Sequence, residues 1–145
     1  MPDALPEALH VLVPTDLIFV RPVRKMVEGL LAGQGWVEDQ IDDVALILTE
    51  VVQNAVEHGS RCDGTERVEV RVRVDADGCT LEITDPGTGK DPQIALDRDV
   101  TQPPDLTAAR GRGLFLIHRL ATRFERDRAG SGGLLVCVRR AMEAP

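Results

Sequence analysis

Three groups of residues have the types and the spacing to do chemistry. Glu50, Asn54 and His58 recur every four residues, so in a helix they share one face. An Asn in mid-helix is mildly unfavourable and asks for a reason. A carboxylate and a carboxamide one turn apart can hold a hard cation and orient a water or hydroxyl; the plainer reading is a solvated polar face. Asp85-Pro86-Gly87-Thr88-Gly89 closes a strand-like run. There a carboxylate fixed by the sheet precedes two glycines that can approach a ligand or take positive φ, although Asp-Pro-Gly is also ordinary turn chemistry. Gly111-Arg112-Gly113 precedes the apolar run Leu114-Phe115-Leu116-Ile117. Glycines that open a helix leave backbone N–H groups free for an anion; a flexible linker ahead of a helix is the alternative. A Walker lysine motif and a Rossmann glycine fingerprint are both missing.

The elements that position these groups follow from periodicity. Leu9 to Val13 reads as a strand, and Thr15 or Asp16 as the N-cap of a helix running to Leu31. Pro22 is tolerated only in an early turn or a kink, and Gly33-Gln34-Gly35 ends the helix. Ile41, Val44, Ala45, Leu48, Val51, Val52 and Ala55 form one stripe of helical period, separate from the face of Glu50 and Asn54. Glu38, Asp39, Asp42 and Asp43 lie toward the end of this second helix where the dipole favours negative charge, and Gly59 reads as its C′ residue, with His58 capping. Val68, Val70, Val72 and Val74 alternate with polar residues, as do Cys79, Leu81 and Ile83 after the turn Asp75-Ala76-Asp77-Gly78. From Asp85 to Gly113 the chain is rich in Gly, Pro and Asp, with one helical turn expected at Gln93 to Leu96. A long irregular stretch of this kind marks a lid, expected to be mobile from Lys90 to Arg112 without a ligand. A helix from Gly113 to Ala121 and strands near Phe124 and at Leu134 to Arg139 complete the order. The expected fold is an α/β two-layer sandwich, a mixed and mostly antiparallel sheet with helices on one face.

The order and spacing Glu50-x-x-x-Asn54-x-x-x-His58-Gly59, Asp85-x-Gly87-x-Gly89, Gly111-x-Gly113 resembles the N, G1 and G2 boxes of the GHKL (histidine-kinase-like) ATPases. The chain is most similar to their small stand-alone anti-sigma factor serine/threonine-protein kinases. Ile47 to Gly59 and Gly111 to Leu120 carry the resemblance most specifically, and it extends from the first helix through the last strand. It implies that Asn54 coordinates Mg²⁺ on the ATP phosphates and that Glu50 is general base toward a substrate hydroxyl. Asp85 would accept from the adenine amino group, and Gly87 and Gly89 would let the loop pack against base and sugar. Gly111 and Gly113 would bring the lid backbone to the phosphates. Arg110 and Arg112 are both candidates for the phosphate-contacting arginine. Family members often carry a Thr on a late strand beneath the adenine-binding Asp; here that region reads Gly130-Ser-Gly-Gly-Leu-Leu-Val136, without one. His118, beside an apolar run, reads as structural.

The same resemblance implies cofactors ATP and Mg²⁺, a homodimer, a sigma factor as one partner and a STAS-type anti-anti-sigma protein as the other, whose Ser or Thr is phosphorylated. Two rivals are an ATP-ordered binding module without kinase activity and a detached histidine-kinase catalytic domain. The latter needs a helical hairpin with a phosphoacceptor His, and His10 is not on the one helix expected before Glu38.

Composition narrows the classes. The 145 residues suit one domain, 1–145, with 43% hydrophobic and 28% charged residues, the balance of a globular chain. A net charge of −7, with short basic clusters only at Arg21 to Lys25 and Arg119 to Arg128, argues against direct nucleic-acid binding. No apolar run reaches the roughly 20 residues of a membrane span. The N-terminus has no basic n-region, and three cysteines form no metal pattern, so a reducing cytoplasm is expected.

Overall fold

A computed structural model of the chain describes residues 7–102 and 112–142. Strand β1 spans Glu7–Pro14. Asp16 then caps a 3₁₀ turn at Leu17–Phe19, accepting from the Ile18 N–H at 3.1 Å. Helix α1 follows over Val20–Gly33 with Pro22 in its first turn, where a missing N–H costs nothing. Its end is fixed by Gly35 at φ +83 and by the Trp36 N–H, which donates to the Leu31 carbonyl at 3.1 Å. Only glycine takes that φ without strain.

Helix α2 is Glu38–Gly59, 22 residues. The expected stripe is buried except Ile41, which is half-buried, and Gln40, Ile47 and Val56 widen it. Gly59 is the last helical residue rather than a left-handed C′, and Ser60 turns the chain out at φ −140. The Ser60 hydroxyl donates to the Val56 carbonyl at 2.6 Å and accepts from the Cys62 N–H at 3.0 Å. A serine thus ends the helix, and Gly59 is not needed for its conformation.

Strands β2 (Arg67–Val74) and β3 (Gly78–Thr84) form the expected hairpin, closed by the Asp75 N–H on the Gly78 carbonyl at 2.9 Å. A short α3 (Pro92–Leu96), α4 (Arg112–Leu120), β4 (Arg123–Arg128) and β5 (Leu134–Ala141) complete the chain. The sheet runs β1-β2-β3-β5-β4, and among the described residues every neighbouring pair is antiparallel, so the sheet is antiparallel throughout rather than mixed as expected. Val72, Leu81 and Val138 align across three strands, as do Val70, Ile83 and Val136. Both rows are buried on the face that α2 crosses, and α1 and α4 flank α2. The opposite face carries Arg71, Glu82, Cys137 and Glu125 in register. His118 lies exposed late in α4, while Ile117 beside it is fully buried. Among the described residues no helix is long and apolar enough to cross a membrane.

Candidate functional site

The C-terminal half of α2, the facing ends of β3 and β5, α3 and the start of α4 enclose a cavity of about 470 Å³, within the range of small-ligand sites. Its floor is apolar, from Val51, Ala55, Ile83, Leu114, Leu134 and Val136. Polar groups meet it from the sheet as Asp85, from α2 as Asn54 and from the rim as His58, Lys90 and Arg98.

Asp85 follows β3 and is only 6% exposed. Its Oδ1 accepts from the Gly87 N–H at 2.9 Å and the Leu134 N–H at 3.2 Å. Its backbone is held as well, its N–H on the Leu134 carbonyl at 3.1 Å and its carbonyl under the Ser131 hydroxyl at 3.2 Å. Burial pushes this carboxyl above its ordinary range, and the two N–H donors offset only part of the effect.

Glycines surround Asp85 because nothing larger fits. A Cβ on Gly59 would overlap the Asp85 carboxylate, lying 2.5 Å even from the Asp85 Cβ. A Cβ on Gly133 would overlap Oδ1 from the other side. Gly87 takes φ +77, and a Cβ there would stand 2.7 Å from the Gly133 nitrogen. Gly89 lies against the end of α2, where a Cβ would strike the His58 carbonyl and stand 2.7 Å from the Ser60 nitrogen. The space beside Gly87 and Gly89 is therefore taken by this chain's own backbone. Close packing of the loop on α2 and the β4–β5 turn thus requires glycine at both positions. Gly59→Ala is accordingly expected to destabilise the fold by ~1–3 kcal/mol through overpacking. Gly33→Ala, in open space at a helix end, is the control and should cost nothing. Denaturant unfolding of the two variants checks this, and equal midpoints would contradict it.

Glu50 and Asn54 meet at Gly113. A Cβ on Gly113 would overlap Glu50 Oε2 and lie 3.7 Å from Asn54 Nδ2, so the start of α4 is pressed onto this face of α2. Asn54 lines the cavity, whereas Glu50 sits one turn back, half-buried and outside the cavity lining. Burial raises the Glu50 carboxyl above its ordinary range, and the negative charge of Glu57 adds to it. Arg110 and Gly111 lie outside the described residues, as does the Arg112 side chain; the Arg112 backbone opens α4.

The stretch from Lys90 is fastened at its beginning. The Lys90 N–H donates to the His58 carbonyl at 2.6 Å, and Asp91 caps α3 by accepting from the Gln93 N–H at 2.9 Å. Lys90 to Arg98 are thus tied to α2 and β4, and residues 103–111 of the expected lid fall outside the described residues. Sequence reasoning missed Gly133, Lys90 and the α3 residues Ile94 and Ala95 as parts of the site. The signal for Gly133 was present in Gly130-Ser-Gly-Gly, too glycine-rich for a plain hairpin turn.

Residues 13–140 match the family described as the histidine kinase-like ATPase domain. A serine-protein kinase RsbW of Halalkalibacterium halodurans is 28% identical over 124 residues, 83% of this chain and 75% of that protein. The anti-sigma F factor of Clostridium beijerinckii is 30% identical over 105 residues, 70% of this chain and 71% of that protein. In fold, the chain is similar to a crystal structure of the RsbU and RsbW domains of Rv1364c from Mycobacterium tuberculosis, with TM-score 0.70, 20% identity and 97% of this chain covered, though it spans only 33% of that one. It is also similar to a chain in the SiaB–SiaC complex from Pseudomonas aeruginosa, with TM-score 0.65 and 14% identity, covering 94% of this chain and 91% of that one. With the match spanning nearly its whole length, the chain belongs to the histidine kinase-like ATPase family.

Proposed function

We propose that this chain, as one ATPase domain over residues 1–145, is an ATP-dependent protein serine/threonine kinase that acts as an anti-sigma factor. The observation that carries the reading is the placement of Asp85 at the sheet end of the cavity, with Asn54 on α2 and Glu50 one turn behind it. Relatives named serine-protein kinase and anti-sigma F factor support the activity.

In this reading Asp85 accepts the adenine amino group, the apolar floor covers the base, and Gly113 lets the α4 backbone reach the phosphates together with Gly111 and Arg110 or Arg112. Gly87 and Gly89 hold the loop that carries Asp85 in place. Asn54 offers one oxygen toward Mg²⁺, a donor set that fits an ion which keeps several waters and takes its other ligands from phosphate. Bound there, the ion would neutralise charge on the phosphates. Glu50 accepts the proton of an incoming Ser or Thr hydroxyl as its oxygen bonds to the γ-phosphorus. The bond from that phosphorus to the bridging oxygen breaks, and ADP leaves with that electron pair. The phosphoryl acceptor is a STAS-type anti-anti-sigma protein, the sequestered partner is a sigma factor, and the chain works as a cytoplasmic homodimer. His10 does not suit a phosphoacceptor: it lies on β1 with Nε2 3.2 Å from Glu69, and α1 carries no histidine.

Tagged protein recovered from its host with ATP present should bring down both partners, with phosphate on a Ser or Thr of one of them. Recovery of partners without transfer to any of them would favour the ATP-ordered binding module instead.

A further inference from the structure

We propose that Arg126 is a positioning residue for the nucleotide: from edge strand β4 it clasps the carbonyl end of α3 and holds the cavity wall that α3 provides. The proposal rests on the ATP reading above.

The wall needs such a clasp. Helix α3 has five residues and none is buried, and isolated helices far longer than this are marginal in water. Yet Ile94, Ala95 and the following Arg98 form one side of the cavity. Ile94 is 65% exposed, and Pro92, Ala95 and Leu96 are only half-buried, so apolar packing holds the wall only in part. Polar ties from β4 supply more. Arg126 stands opposite Val136 in the β4–β5 register, which puts it on the helix-covered face of the sheet. Its Nη1 donates to the Ala95 carbonyl and its Nη2 to the Arg98 carbonyl at 3.1 Å. The Ala95 carbonyl is in the last turn of α3, where a cation is favoured, and the Arg98 carbonyl lies two residues beyond the helix. The guanidinium also lies 5.5 Å from the centre of the Phe124 ring. Arg128 adds a bond from Nη2 to Gln93 Oε1 at 2.9 Å and an approach of 3.6 Å to Asp91. A planar fork can span two carbonyls, which the single ammonium of lysine cannot do in the same geometry. Burial and the neighbouring charge of Arg98 both work against the charged form of Arg126, so the arrangement is held at some electrostatic expense.

If the clasp is lost, α3 samples detached positions and only a fraction of molecules present a complete site. The apparent dissociation constant then rises by the inverse of that fraction. A wall in place one-tenth of the time means about a tenfold loss.

Calorimetric titration of the full chain with ATP·Mg²⁺, joined to amide hydrogen exchange without nucleotide, tests this. Arg126→Met should bind at least ~10-fold more weakly. Its exchange should quicken at residues 92–98, while α2 and β5 keep their protection. Arg126→Lys should recover part of both effects, and Arg128→Gln, on a more exposed side chain, should lose about threefold. Arg128→Gln also carries the test if Arg126→Met does not fold. Unchanged affinity together with unchanged exchange at 92–98 would overturn the proposal, as would loss of protection spread evenly through the sheet. Failure of the wild-type chain to bind ATP would instead remove the nucleotide reading, and the exchange measurement would still decide whether Arg126 holds α3.

Discussion

Glu50→Gln is expected to bind ATP·Mg²⁺ and its partner proteins as the wild-type chain does, and to phosphorylate its protein substrate at least ~100-fold more slowly. Glutamine has nearly the shape of glutamate, so the close contact of residue 50 with Gly113 is kept. Residue 50 is outside the cavity lining, so nucleotide contacts are also kept. What disappears is the ability to take a proton from a hydroxyl. The raised pKa fits this task, because a base that binds its proton more firmly than an ordinary carboxylate pulls harder on the hydroxyl. Transfer should therefore fail as pH falls through that raised value. The stability consequence has the opposite sense. A carboxyl whose folded pKa is raised contributes stability fully only below its unfolded pKa, and that contribution is lost as pH rises through the folded value. At neutral pH the ionised Glu50 is thus a burden, and Glu50→Gln should melt no lower than wild type. A kinase-dead variant with an undiminished melting temperature separates lost chemistry from lost fold. Asn54→Ala should impair binding and transfer together. Phosphoryl transfer by Glu50→Gln near the wild-type rate would mean that another group takes the proton.

The elements were legible in the sequence wherever burial imposes a period. The stripe of α2 and the valines of β2 could face only one way, so both helix and strand followed from spacing. The roles of particular glycines were not legible, because a glycine can serve positive φ or close approach and the sequence does not distinguish them. Gly87 uses positive φ, while Gly59 and Gly133 leave room for one carboxylate that is 26 and 48 residues away in sequence. Close approach between distant segments is set by tertiary packing, which has no local signal. The fastening of α3 was hidden for the same reason: Arg126 and Arg128 read only as part of a short basic cluster, and only the β4–β5 register aims them at α3. The separation of Glu50 from the cavity lining was equally out of reach. Helical spacing puts Glu50 and Asn54 on one face, and the depth of each along that face depends on where α4 lands.

Asp85→Asn should weaken ATP·Mg²⁺ binding by roughly 10- to 100-fold and leave the fold intact. The two carboxylate oxygens are not equivalent. Oδ1 is occupied by the N–H groups of Gly87 and Leu134, at 2.9 and 3.2 Å. Oδ2, on the Gly59 side, is the oxygen left for a ligand. An asparagine at this position must keep its oxygen toward those two donors, since turning the amide would set NH₂ against two N–H groups. Its NH₂ then takes the place of Oδ2 and presents a donor to the adenine amino group, which is itself a donor. The substitution therefore exchanges an attraction for a mismatch rather than weakening one bond, and the size of the loss follows from leaving buried polar groups unpaired. Acidification should act on wild type in the same direction. Burial raises the Asp85 carboxyl, so it protonates at a higher pH than an exposed aspartate, and ATP affinity should decline as pH falls through that raised value. Asp85→Asn has no such proton to take up, so its weak binding should stay flat over the same range. Calorimetric titration of both proteins with ATP·Mg²⁺ across that interval decides the matter. Equal affinities at neutral pH would remove Asp85 from adenine recognition, and a parallel decline in both proteins would move the titrating group elsewhere.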